Sequence, residues 1–192
     1  MAEIKSALEL ALEKAERIGK ASPEEMQAIK WQEQARRLAA QFLRAEVDLE
    51  AELSPMPPTA QQALAGQIRA VLLRNVTLPR EGSVDDNVNR ALSGILQIAR
   101  DKKAAQRVLQ EIDRIFKSFL QVRQNAMEQM KAQFNVQLDG VKKALEAQMQ
   151  RQVRIEAEQT PQFQEQWRAF EAQLLQQFEP LLEKHKNMLA TL

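Results

Sequence analysis

The feature that most constrains this chain lies between Asp101 and Glu158, where no proline occurs and a helical pattern never stops. Apolar side chains recur there at Ile112, Phe116, Phe119, Met127, Met130, Phe134, Leu138, Val141, Leu145 and Met149, at the steps of three and four that keep one helical face apolar. Ile112, Phe134 and Leu145 fall on an eleven-residue spacing, which holds the stripe straight or slightly right-handed. Arg123 occupies the remaining position of that series and interrupts the seam once. An unbroken helix of about 58 residues would be about 87 Å long. A compact protein of this length has a radius of gyration of about 16 Å. The two are incompatible, so the chain is expected to be elongated.

The flanking sequence supplies partners for that helix. Residues 2–18 place Ile4, Leu8, Ala11, Ala15 and Ile18 on one helical face, and Gly19 suits a left-handed helix end. Ser22-Pro23-Glu24-Glu25 then gives an N-cap, a first-turn proline and a capping-box glutamate. The second helix is expected from Pro23 to about Leu53, with Trp31, Leu38, Phe42, Leu49 and Leu53 inward. Ser54-Pro55-Met56-Pro57-Pro58 ends it, because adjacent prolines cannot continue a helix.

Residues 59–100 carry only eight charged side chains and read as a helical hairpin, 59–75 and 84–100, with Ser83 as the second N-cap and Asp85 and Asp86 in its first turn. Ala63-Leu64-Ala65-Gly66 and Ala91-Leu92-Ser93-Gly94 repeat one phrase, and the two glycines fall at one level of an antiparallel hairpin, which hints at close backbone approach. Acidic residues 46–52 enter this module and basic residues Arg100, Lys102, Lys103 and Arg107 leave it, so opposite charge is expected at its base. Gly140, after Asp139, is the natural place to break the long helix, yet Leu138 and Val141 stay in phase across it and predict continuity. Thr160-Pro161 starts a last helix to about Ala190, with Phe163, Trp167, Phe170, Leu174, Phe178, Leu181 and Leu189 inward and Pro180 expected to kink or shorten it.

The expected fold is therefore all-α: an elongated helical bundle or antiparallel coiled-coil hairpin built on the long helix, about 101–158, with a smaller helical-hairpin module. Three regions follow: residues 1–58, an N-terminal helical pair of the rod; 59–100, the low-charge module; and 101–192, the long helix and its return. With 27 Ala and 25 Gln, the composition favours helices and wets their outer faces with neutral amides.

Composition also removes chemistry. Without cysteine there is no disulfide, thiol nucleophile or zinc ribbon, and one histidine excludes the paired Glu-x-x-His motif of bundle di-iron sites. His185 sits between Lys184 and Lys186 near the end of the sequence and reads as a surface or interface residue. No glycine-rich phosphate loop occurs, and Asp85-Asp86-Asn87 lacks calcium-loop spacing. No catalytic residue, cofactor, metal ligand or small-molecule substrate is assigned.

The opening Ala7-Leu8-Glu9-Leu10-Ala11-Leu12-Glu13-Lys14-Ala15 resembles many bacterial coiled-coil proteins, rotary-ATPase stalk subunits among them, without a motif that would carry a function. No leader, and no apolar run near the roughly 18 residues of a membrane span, is apparent, and a cytoplasmic protein is expected. The expected role is a non-catalytic protein–protein interaction module, a scaffold, adaptor or chaperone-like protein whose partner is another protein or a second copy of itself. Ile112, Phe116 and Phe119, at the end of the rod expected to be left uncovered by the last helix, and Leu78 and Pro79 in the hairpin loop are the expected partner-binding residues. The alternative is nucleic-acid binding through Lys102-Lys103, Lys142-Lys143 and Arg151 with Arg154. Residues 101–158 hold 11 basic and 8 acidic side chains, a small excess for a surface that tracks phosphates.

Overall fold

A computed structural model describes residues 23–80, 82–149 and 156–192. The helix expected at 2–18, Gly19, the Ser22 cap, Arg151 and Arg154 lie outside the described residues. Six α-helices and no strand are found among the described residues: α1 (Pro23–Leu43), α2 (Leu49–Leu53), α3 (Pro58–Arg74), α4 (Asp86–Ile98), α5 (Lys102–Met149) and α6 (Pro161–Thr191), with a 3-10 turn at Ala157–Gln159. The all-α expectation and the long helix hold. At 48 residues, α5 is about 72 Å long.

A head and a rod share one continuous core. In the head α1 packs on α3 and α4, α3 on α4, and α2 on α4, so the described part of residues 1–58 joins the low-charge hairpin. Its core holds Leu38, Phe42, Leu64, Ile68, Leu72 and Ile95, and runs without interruption into Ile112, Phe116, Leu182 and Leu189 at the root of the rod. Further out, among the described residues, α5 and α6 pack only on one another and on the 3-10 turn, where Phe134, Ala157, Phe163 and Trp167 make a second, smaller core. Edge-on ring pairs mark the antiparallel register: Phe119 with Phe178 at 5.4 Å and Phe134 with Phe163 at 5.2 Å.

Several element ends differ from expectation. The helix expected over 23–53 breaks after Leu43. Ala45 adopts φ 60°, its N–H donates to the Phe42 carbonyl (2.9 Å), and the Glu46 N–H donates to the Gln41 carbonyl (3.0 Å). This double bond pattern closes a helix end around a left-handed residue, normally glycine, so an alanine there gave no signal. Asp48 then caps α2 by accepting from the Ala51 N–H at 2.9 Å. The cap of α4 is Asp85, which accepts from the Asn87 N–H at 2.7 Å, in place of Ser83. Asp101 caps α5 through the Ala104 N–H at 2.9 Å, and Thr160 caps α6 through the Phe163 N–H at 3.3 Å.

Gly140 leaves α5 unbroken, and Pro180 neither ends nor shortens α6. Past Pro180, Leu182 faces inward and Leu181 outward, the reverse of the expected assignment, because Leu182 lies four residues after Phe178 and seven before Leu189. The glycine pair does not form a crossing. A side chain at Gly94 would meet Phe42 at 2.5 Å and Leu72 at 2.9 Å, whereas Gly66 faces open space. Opposite charge does meet at the head's base, where the Lys102 ammonium lies 3.5 Å from Glu50.

Candidate functional site

The residues expected to meet a partner are inside the protein. Ile112, Phe116 and Phe119 are 0%, 2% and 3% exposed, and Leu78 and Pro79 are buried as well. The reason is the path of α6: it runs on through Pro180 along α5, with Phe178 against Phe119 and Leu182 and Leu189 in one core with Ile112 and Phe116, and covers the end of the rod that was expected to be free. Leu78, Pro79 and Phe119 are nevertheless brought together, along the wall of a groove between the hairpin loop and the rod. Arg123 and Glu171 sit in the same wall.

Arg123, the interruption in the stripe, is a built feature. Its Nε and Nη2 donate to Glu171 Oε1 at 2.9 and 2.7 Å, and its guanidinium carbon lies 5.3 Å from the centre of the Trp167 ring. Both charges are largely shielded from solvent. The pair separates the core at the root of the rod from the core further out, and a polar pair within an apolar seam disfavours slipped registers.

A second constellation lies at the base of the head. Arg69 is inward on α3, three and four residues before Leu72 and Leu73, and only 8% exposed. Its Nη1 donates to the Ala190 carbonyl (3.3 Å) and its Nη2 to the Ile98 carbonyl (3.5 Å). Those carbonyls close the last turns of α6 and α4, whose dipoles present partial negative charge there. Among the described residues Nε has no partner, and no carboxylate pairs with the guanidinium. Burial, and secondly the neighbouring Arg100 cation, hold the Arg69 pKa below the ordinary arginine value. The group stays charged, since an arginine does not lose its proton in proteins.

Arg69 opens onto a cavity of about 370 Å³ whose wall includes Glu50, Gln61, Gly66, Gln97 and Arg100. Gln97 Nε2 donates to Asp48 Oδ2 at 3.2 Å, which fixes the amide, and its Oε1 is buried without a partner. An unsatisfied buried polar atom costs about 1–3 kcal/mol. The sequence reading passed over Arg69 and Gln97, although one signal was present: Arg69 and Arg74 are the only charges in α3, and only Arg69 shares the face of the apolar positions.

Several other charged groups form ion pairs. Lys117 pairs with Asp113 (2.7 Å), Lys186 with Glu183 (2.6 Å) and Lys131 with Glu158. The His185 Nδ1 lies 2.8 Å from the Leu181 carbonyl one turn earlier on α6. Among the described residues no helix is long and apolar enough to cross a membrane, and no three acidic or histidine side chains gather as a metal site would require.

Residues 50–191 match the model of a family of unknown function, DUF6657, while no curated protein and no solved structure matches the chain. The matched stretch holds every cavity residue named above together with the Arg123–Glu171 pair. It covers well over half of the chain, from α2 to the end of α6, and the protein therefore belongs to the DUF6657 family.

Proposed function

We propose that the protein is a non-catalytic interaction module of the cytoplasm, in which the head clamps the root of a helical rod and the rod presents a contact surface to another protein chain, in the first instance a second copy of itself. The observation that carries this reading is on α6. Leu181 and Met188 are 47% and 45% exposed, and their seven-residue separation stacks them on one flank beside a core already filled by Leu182 and Leu189. Two large apolar side chains on one flank of a paired helix suit a further helix laid alongside. The absence of cysteine suits a reducing compartment.

The test is the double substitution Leu181→Glu with Met188→Glu, read by light scattering at increasing concentration. The wild-type chain should show a mass above that of the monomer, and the variant should be monomeric with unchanged helix content by circular dichroism. A wild-type monomer at every concentration would overturn self-association, and equal masses for both proteins would remove this flank from the interface.

A further inference from the structure

We propose that the rod opens from its outer end as a separate unit, and that the Arg123–Glu171 pair is the level at which this opening stops. The device is independent of the Leu181–Met188 flank, which lies beside the inner core. Two cores lie along one continuous pair of helices. The inner one draws buried side chains from all six helices and holds α5 from Ala105 to Phe119 and α6 from Leu174 to Leu189. The outer one draws every member from α5, the 3-10 turn and α6: Phe134, Ala157, Phe163 and Trp167 are buried, with Met127, Met130 and Leu138 half-buried against them. Between the two, no side chain is buried over residues 120–133 of α5 or over residues 168–173 of α6. This gap holds the Arg123–Glu171 pair and Phe170, the one apolar side chain that packs on both cores among the described residues.

The place of the boundary follows from what each break would expose. Parting the helices through either core brings apolar side chains into water. Parting them beyond the gap leaves a pair of charges that regain hydration, so a boundary there costs least. Beyond it each helix has only the other and the 3-10 turn as cover among the described residues, and a helix without tertiary cover is marginal. Gly140 lies in this outer part of α5 and lowers its helix propensity further. Opening uncovers Met127, Met130, Phe134, Phe163 and Trp167 together, an adaptable face of methionine and aromatic side chains.

Hydrogen exchange of the full chain in rising urea, read by mass spectrometry, is the test. Residues 126–138 and 161–168 should exchange together, with one urea dependence, and at least about tenfold faster than residues 105–119 and 174–189. A rate that rises smoothly toward the outer end is fraying and would overturn the proposal, as would a single rate along both helices. The two tryptophans report the cores separately, Trp31 against the inner one and Trp167 within the outer one. The fluorescence of Trp31→Phe should therefore lose its native signal at lower urea than that of Trp167→Phe, and coincident transitions would make the molecule one unit. Arg123→Leu with Glu171→Leu continues the apolar seam across the gap and should slow exchange in the outer segments by about tenfold, with the inner ones unchanged. An unaltered difference between outer and inner segments in that variant would remove the pair as the boundary.

Discussion

Gly66 and Gly94 end the same four-residue phrase pattern and do opposite things. Gly94 is buried where Phe42 of α1 crosses α4, and a methyl group there would require Phe42 and Leu72 to move. Gly94→Ala should therefore destabilise the protein by about 1–3 kcal/mol, the usual effect of overpacking. Gly66→Ala meets no neighbour and should stabilise it by about 1 kcal/mol through helix propensity alone. Chemical denaturation of the two variants checks both signs. A stabilised Gly94→Ala would mean that the α1–α4 crossing is looser than described. Arg123 is a second position whose role depends on what lies across from it. The double-mutant cycle of Arg123→Ala and Glu171→Ala should give a coupling of about 1 kcal/mol, since the pair is bidentate from the arginine and largely shielded. Zero coupling would make it an ordinary surface contact.

At the scale of the element, the helix ends carry the surprises. Thr160 and Pro161 start α6 as their cap-and-proline pattern predicts, whereas Asp85 in place of Ser83 caps α4. The stop at Ala45 was not readable, because a left-handed residue is signalled by glycine and the chain places alanine there. Ala45→Gly should accordingly raise the unfolding free energy by about 1 kcal/mol, by removing the cost of a left-handed residue with a Cβ. Unchanged or lowered stability in urea denaturation would refute the strained helix end. Arg69 closes two helices at once. Arg69→Met keeps the apolar stem and strands the Ile98 and Ala190 carbonyls, so a loss of about 2 kcal/mol is expected. Hydrogen exchange should show that loss first in the last turn of α6, and uniform exchange along α6 would argue against the capping role.

For the whole molecule, the consequence is elongation. An α5 of about 72 Å cannot be folded into a sphere, so small-angle scattering of the monomer should give a radius of gyration well above the compact value of about 16 Å. A value near 16 Å would refute the rod. The head has a core of its own that flows into the root of the rod, whereas among the described residues the outer part of the rod is held by the α5–α6 seam and the 3-10 turn. Much of this was legible. The all-α class, the long helix continuous through Gly140, the hairpin over the low-charge region and the returning last helix all follow from periodicity and caps, which are local properties of neighbouring residues. The candidate site was not legible. Arg69 lies on α3 while Gln97 and Arg100 lie at the end of α4, and only the docking of α4 and α6 on α3 makes Arg69 a buried cation in one wall with them. The packing of α6 on α5 buried Ile112, Phe116 and Phe119, which any reading of one helix alone leaves exposed. Sequence by itself determined which segments are helices and which faces are apolar, because those are set within a few residues. Which apolar faces meet, and therefore which polar groups are trapped between them, was decided by tertiary packing, whose contacts join residues far apart in the chain.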